Sequence, residues 1–503
     1  MVRFRRISLT AALLAALIVG PQATSSTTDD AELQLQLASL LFEETRFTEA
    51  LAAYRKAIDT KDSALALRAR IGYVRTALRI GLFQDAQREG ASLRRHAPRN
   101  PDALSAYADA VWSAGLFDEA ENAWQQALAI DPESARARHG VARSLASRSR
   151  LDEALNEAQA ALKITPRDGE IHHTVGSIYE RMGRFEQAAA SFSNYINLLP
   201  NKENSDKAAW SRSQVRFLRS FGEKQPLFID DATADRLHTV DFKLVDDKVI
   251  VRARVNGGRL QDFVLDTGSE QTTISRQTAS SANVRPITYT LSAGVGEVGL
   301  RGLQLGRIDE LEIGTLKLQN VPTLIKAPPL RGVPKKETES FSPMAFGLSM
   351  IIDYGTRKLT IGRSLPQEPA DITMGLRHHR LSMVRGVINN DRPTYFVVDT
   401  GGEVISISTS TAESLNVRMP RKIGLKVYGT SGWDRDAFLM PGVNLKFDEI
   451  AYPNFSVVVL NLRAPSVLLG FEVGGIVGHR FLSPYRVALD LPRSEMRMTR
   501  VGN

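Results

Sequence analysis

Two patterns of apolar residues divide this chain. From about residue 31 to 200, apolar positions recur at helical spacing, and five blocks of that spacing align: RFTEALAAYRKAI, LFQDAQREGASLR, LFDEAENAWQQAL, RLDEALNEAQAAL and RFEQAAASFSNYI. Their shared alanines, Ala50, Ala86, Ala120, Ala154 and Ala188, are 36, 34, 34 and 34 residues apart, and Pro98, Pro132, Pro166 and Pro200 are 34 apart each time. The pattern predicts a repeating pair of amphipathic helices. Alanine lets paired helices approach closely, and proline cannot continue the second one. Residues 205–222, SDKAAWSRSQVRFLRSFG, predict a solvated helix that closes the stack, since such stacks need a polar end. Residues 223–239 read as a linker. Beyond them the period changes to two: in VDFKLVDDKVIVRARVNG, valines and isoleucines alternate with charges, and Asn256-Gly257 marks a hairpin turn. The expected architecture is an all-α array over 31–222 followed by an all-β region.

Length and composition agree with several domains. The chain has 503 residues, 43% apolar and 24% charged, the range of a soluble globular protein. It has no cysteine, so disulfides, thiolate metal sites and a cysteine nucleophile are excluded. Arg3, Arg5 and Arg6 precede an apolar run, ISLTAALLAALIVG, that ends at Gly20. This reads as a signal peptide over residues 1–23, cleaved after Ala23, and predicts export to a periplasm or beyond. Membrane attachment is expected only if that segment stays uncleaved. Removing it takes the formal charge from +8 to +5 (8 − 3). With no clustered basic arm, nucleic acid is not an expected partner.

Two short phrases carry the candidate chemistry. FVLDTGSEQTTIS runs from Phe263 to Ser275 and FVVDTGGEVISIS from Phe396 to Ser408, placing Asp266 and Asp399 133 residues apart (399 − 266). Each copy follows an asparagine-containing turn (Asn256-Gly257; Asn389-Asn390) and an apolar strand. Each leads through a glutamate (Glu270; Glu403) into an alternating strand ending Ile-Ser. The aspartate therefore sits in a tight turn between buried strands, where a carboxylate is costly unless hydrogen-bonded or paired.

The helical half resembles the tetratricopeptide repeat, a 34-residue unit of two helices; its fifth copy, HHTVGSIYE, keeps Gly176 and Tyr179. The duplicated Asp-Thr-Gly phrase resembles the aspartic peptidases of the retropepsin and pepsin clan, over roughly residues 240–500. That resemblance implies an all-β bilobal domain, with lobes at 240–365 and 366–503. It implies a dyad of Asp266 and Asp399 sharing a water, with no cofactor and no metal. Two close carboxylates cannot both ionise, so the pair holds one proton. By the same resemblance Thr267 and Thr400 would cross-bond the lobes, and Gly268 and Gly401 would supply backbone N–H donors. Ser269 would bond the outer oxygen of Asp266, and Gly402 has no side chain to do so for Asp399. A flap would close over the cleft near Gly294 and Gly296. The segment that supports the second turn is GGIVGHRFLSPYRVALDL, with Gly478 twelve residues before Asp490. The first lobe ends IIDYGTRKLTIG, but the residue twelve before Asp353 is Phe341, so its support is expected to be altered or shorter. Asp353 and Asp490 are expected to be structural.

Two functions follow. One is an exported aspartic endopeptidase whose repeats recruit a substrate protein or a scaffold. The other is a binding or assembly protein with lapsed peptidase lobes. Either takes a protein or peptide partner, and the internal duplication predicts a monomer. Other motifs carry less. Gly294, Gly296 and Gly299 match a dinucleotide fingerprint but lack the surrounding βαβ unit, and Ser431 and Ser466 lack a hydrolase motif. The histidine pairs 172–173 and 378–379 read as packed or solvated. Arg94, Arg95 and the arginines between 143 and 150 read as solvated helix faces. Trp112 or Trp124, if exposed, would line the concave repeat surface; the alternative places Trp124 at the bulky core position of its repeat, as with Tyr54 and Phe192.

Overall fold

The computed structural model describes residues 27–203, 205–296, 300–326, 339–390, 392–415, 423–429 and 432–502. The signal segment 1–23, Gly299 and Ser431 lie outside them. Eleven helices open the described chain. Five pairs, α1 (Thr27–Glu43) with α2 (Phe47–Ile58), α3 (Ser63–Arg79) with α4 (Phe83–His96), α5 (Pro101–Ser113) with α6 (Phe117–Ile130), α7 (Ala135–Ser147) with α8 (Leu151–Ile164) and α9 (Gly169–Arg181) with α10 (Phe185–Leu198), precede a single helix, α11 (Asp206–Arg219). The array thus starts at Thr27, four residues ahead of its expected edge. The five repeat alanines are fully buried. Each of the four prolines falls two residues past the end of a second helix. Aromatic rings fill gaps left by glycines on first helices: a Cβ on Gly72 would stand 2.2 Å from the Tyr54 ring, on Gly140 2.1 Å from the Trp124 ring, and on Gly176 2.9 Å from the Phe192 ring. Trp112 and Trp124 are buried in this core.

The strands build one motif twice. In the first half, Gln261–Leu265 pairs antiparallel with Lys248–Val255 and parallel with Glu339–Phe341, which separates it from Thr272–Ile274. In the second half, Arg392–Val398 pairs antiparallel with Ser382–Ile388 and parallel with Gly475–Val477, which separates it from Ile405–Ser408. The turns before these strands also match: Asn256 and Gly257, and Asn389 and Asn390, all have positive φ, a conformation that asparagine and glycine adopt most readily.

The two lobes, expected at 240–365 and 366–503, share one sheet. Ser349–Asp353 pairs with Tyr485–Asp490, and the shared sheet continues through Lys358–Gly362 to His238–Asp241 on one side and through Glu495–Arg500 to Ile372–His378 on the other. Asp353 accepts from the Gly355 and Thr356 amides, and the buried Asp490 pairs with Arg493 and Arg497. Both aspartates end strands of this sheet, away from the duplicated turns.

One sequence expectation gives way where the halves meet. α11 is not a solvated cap. Phe217, Leu218 and Phe221 are buried with Phe185 and Phe192 against Leu305, Ile287 and Leu324 of the first lobe. Residues 223–239, expected as a linker, pack against the strand domain. Phe228 bridges to Gln319, and Ile229 and Ala234 enter the strand-domain core. The apolar residues within these two segments, overlooked beside their charges, supply the reason. A second contact joins α5 and α6 to the second lobe: Phe117 meets Tyr395 at 4.7 Å and Phe471 at 5.1 Å. His379 lies between Trp112 and Phe117. Nearby, the buried Arg377 donates to Asp118 (2.5 Å), Glu121 (3.2 Å), Ser144 (3.2 Å) and Ser147 (3.0 Å).

Candidate active site

Each duplicated turn is held from below by its own parallel strand. The Asp266 amide donates to the Phe341 carbonyl at 2.9 Å, and the Asp399 amide donates to the Val477 carbonyl at 3.0 Å. This register places Ser342 where the second lobe has Gly478. The distance to the strand-end aspartate is eleven residues (353 − 342) against twelve (490 − 478), so counting back twelve reached Phe341 instead. The supporting segment is present in the first lobe, one residue shorter and with serine for glycine. Gly478 has no room for a side chain, since its Cβ would lie 2.6 Å from the Gly402 carbonyl oxygen. The Ser342 hydroxyl is buried and has no hydrogen-bond partner among the described residues.

The two turns are braced across the lobes. The Thr267 hydroxyl donates to the Val398 carbonyl (2.6 Å) and accepts from the Thr400 amide (3.0 Å). The Thr400 hydroxyl donates to the Leu265 carbonyl (2.7 Å) and accepts from the Thr267 amide (3.1 Å). Both threonines are buried, and their hydroxyls and amides are satisfied without water. The glycines let the turns close on each other. A Cβ on Gly268 would lie 2.5 Å from Asp399 Cγ, and one on Gly401 would lie 2.8 Å from Asp266 Oδ1. Each carboxylate therefore lies against the opposite turn, and the two face one another.

Their surroundings are unequal. Asp266 Oδ1 accepts from the Gly268 amide (3.1 Å), while Asp399 Oδ1 accepts from both the Gly401 (2.9 Å) and Gly402 (3.1 Å) amides. Burial and the Asp399 charge push the Asp266 carboxyl up to about 7. Burial also raises Asp399, against the pull of its two amides. The Lys248 charge lowers both. The better-solvated charge is thus on Asp399, and the proton belongs on Asp266.

One expected contact is absent. The Ser269 hydroxyl donates to the Gln271 carbonyl at 2.7 Å, so it does not serve the outer oxygen of Asp266. A backbone acceptor two residues ahead competes for it, a local preference of serine in turns. A Cβ on Gly402 would stand 3.0 Å from Asp399 Oδ2, so that position does face the outer oxygen.

Gly294 and Gly296 sit at the end of the hairpin formed by Pro286–Ala293 and Leu300–Ile313. The second lobe has a counterpart at the same offset of 133, the hairpin of Val427–Gly429 with Gly432–Asp434. The two meet: a Cβ on Gly429 would lie 2.3 Å from the Val295 carbonyl oxygen. Of the two hairpins, only the first was expected from the sequence; the signal of the second was the glycine-flanked VYGTSGWD at that offset. Between the lobes, Glu270 pairs with Arg380 at 2.8 Å.

The aspartyl protease family matches residues 251–337 and 384–473, one stretch for each turn. The tetratricopeptide repeat family matches 31–63, 73–129, 111–178 and 169–201. Among solved structures, a thermophilic tetratricopeptide protein of Thermus thermophilus is 21% identical, covering 37% of this chain and 98% of its own, with a TM-score of 0.32. YrrB, a tetratricopeptide protein with an unusual peptide-binding site, is 21% identical over 38% and 99%, with a TM-score of 0.24. The aspartic proteinase from Irpex lacteus is 11% identical over 53% and 98%, with a TM-score of 0.32. No curated protein matches the chain. The chain is a tetratricopeptide array followed by a β-rich region with two aspartyl-protease-like units.

Proposed function

We propose that this chain is an exported aspartic endopeptidase whose helical array binds protein. The observation that carries the reading is the cross-braced pair of turns, with each carboxylate lying against the other turn's glycine and one of them holding a proton near neutral pH. In this reading Asp399 takes a proton from a water seated between the carboxylates, and that water attacks the scissile carbonyl. Asp266 gives its proton to the carbonyl oxygen, forming a tetrahedral diol. Collapse of the diol breaks the C–N bond: the proton on Asp399 passes to the leaving nitrogen, and one diol hydroxyl returns its proton to Asp266 as it becomes the carbonyl of the product acid. No covalent intermediate arises. The paired hairpins would close over the substrate and exclude bulk water. Export rests on the N-terminal Arg-rich and apolar sequence alone.

The test is digestion of a diverse peptide mixture by the purified full chain, with Asp266→Asn and Asp399→Asn as controls. The reading expects cleavage by the wild type and loss by at least about a thousandfold in each variant, since each removes half of an acid–base pair. Turnover close to wild type in either variant would remove the shared dyad. A folded wild type that cleaves nothing would favour a binding protein with lapsed lobes.

A further inference from the structure

The segments that support the two turns end differently. In the second lobe Gly478 follows the strand Gly475–Val477. The His479 amide then donates to the Gly402 carbonyl at 2.8 Å, and the Arg480 amide donates to the Glu403 carbonyl at 3.1 Å. Two backbone bonds thus clamp the second turn from behind. In the first lobe Ser342 and Pro343 stand at the positions of Gly478 and His479. Proline has no N–H to give. Among the described residues, nothing donates to the Ser269 or Glu270 carbonyl, the counterparts of Gly402 and Glu403.

Space explains why the first turn lacks this clamp. A Cβ on Gly478 would stand 2.6 Å from the Gly402 carbonyl oxygen, and Ser342 carries such a Cβ. A first turn seated as the second one is would collide with the serine. The backbone also leaves the strand in another direction, with ψ 117° at Ser342 and −160° at Gly478. Proline confines the residue before it to extended values of this kind, so Pro343 holds the first course in place. The Ser342 side chain is buried, and its hydroxyl has no partner among the described residues. It acts as a wedge, not as a donor.

The carboxylates register the difference. In the clamped turn the Gly402 amide donates both to the Asp399 carbonyl (3.2 Å) and to Asp399 Oδ1 (3.1 Å). In the unclamped turn the Ser269 amide bonds the Asp266 carbonyl at 3.2 Å and makes no bond to its carboxylate. The charges around the pair do not account for this. Lys248 acts on both carboxyls, and Glu270 beside the first turn is matched by Arg380. Behind the second turn, His479 lies 3.9 Å from Asp247, and Glu403 is exposed.

We infer that Ser342 is a positioning residue for the pair: with Pro343 it keeps the first turn off its supporting strand, so that Asp266 receives one amide where Asp399 receives two, and this divides acid from base. The inference rests on the peptidase reading for its kinetic test only. Two double variants of the full chain differ by one methyl group. Ser342→Gly with Pro343→Ala supplies the missing amide and removes the wedge. Ser342→Ala with Pro343→Ala supplies the amide and keeps the wedge. In the glycine variant the Ser269 amide should reach the Asp266 carboxylate and favour its ionised form. The alkaline limb of kcat/KM against pH should then move toward acid by about one unit. In the alanine variant the limb should stay where the wild type has it. A loss of kcat at every pH with the limb unmoved in the glycine variant overturns the inference, and so does an equal shift in both variants. Thermal melts between about pH 4 and about pH 8 read the same titration without substrate. A carboxyl that keeps its proton in the folded state costs stability as pH rises toward its titration. The fall in Tm across that range should therefore be smaller in the glycine variant than in the wild type, and unchanged in the alanine variant. If the melts separate in this way and no chain cleaves peptide, the wedge stands and the peptidase reading fails. Equal falls in all three chains overturn the wedge whatever the kinetics show. Should the glycine double variant not fold, Ser342→Gly alone takes its place, with a smaller shift in the same direction expected and an unmoved limb and Tm fall overturning the inference.

Discussion

At the scale of single residues, the site is governed by where one proton rests. The phrase around each aspartate was legible because a carboxylate between two apolar strands needs a reason to be there. Which carboxyl keeps the proton was not legible, because it depends on one amide donor against two. Ser269 was misread for a similar reason: its partner is a backbone carbonyl, and the sequence does not display backbone geometry. Two predictions belong here. The proposed mechanism needs Asp266 protonated, so kcat/KM should fall as pH rises through about 7, the range where that carboxyl ionises. A flat profile to about pH 9 would show that Asp266 is not the acid. The same raised value also sets stability. Between the ordinary carboxylate range and about 7 the folded state holds a proton that the unfolded chain has lost, so stability falls as pH rises across that window. Asp266→Asn has no such titration. It should match the wild type in Tm at about pH 4 and exceed it by about 2–5 °C at about pH 8, for a cost on the order of 2–4 kcal/mol. Equal Tm at both pH values would place the raised titration elsewhere.

At the scale of elements, close approach decides what the sequence may hold. The 34-residue period revealed the helix pairs because alanine and proline mark the crossings and ends. The fit of the two duplicated turns is a matter of a single hydrogen atom. Gly268→Ala puts a methyl 2.5 Å from Asp399 Cγ, a separation that real Cβ atoms do not show. The turns would have to part, and peptide hydrolysis should fall by about a hundredfold or more even if circular dichroism is unchanged. Near-normal turnover would mean the turns have slack. The strand Ile372–His378 holds a second case. Arg377 reads as an ordinary charge on an alternating strand, yet it is buried against α6 and α7. Burial pushes the Asp118 carboxyl up, but the Arg377 guanidinium and Tyr395 hydroxyl outweigh it and hold the group below its usual range. That contribution is present above the ordinary carboxylate range and is lost as pH falls through the lowered value. Arg377→Ala should destabilise the chain by about 2–4 kcal/mol near pH 7 and by less in acid, read by thermal melts at both. An equal loss at both pH values would assign the effect to packing alone.

At the scale of the whole molecule, the sequence misleads by being readable in halves. Each half shows a complete pattern of its own, helical period before residue 223 and strand period after 239, and nothing in either pattern announces the seam. The residues that form the seam have ordinary roles in their own elements: Phe117 continues the apolar face of a repeat helix, and Tyr395 and Val397 alternate along a strand. Only the assembled chain shows that Met383, Tyr395, Val397, Leu460 and Phe471 share one buried cluster with Trp112, Phe117 and Trp124. Phe217, Leu218 and Phe221 make a second contact on the first lobe. Cutting the chain between residues 222 and 223 would expose both surfaces at once, and contiguous apolar patches of that kind drive association. The halves should therefore not be separable without loss. A fragment of residues 223–503 is expected to melt at least about 10 °C below the full chain, or to associate, and the full chain should unfold in one calorimetric transition that both far-ultraviolet and tryptophan signals follow. All four tryptophans, Trp112, Trp124, Trp210 and Trp433, are available to that second signal, three in the array and one in the second lobe. Two resolved transitions, with the isolated fragment monomeric and melting at the temperature of the upper one, would show that the halves merely touch and that the array does not brace the catalytic lobes.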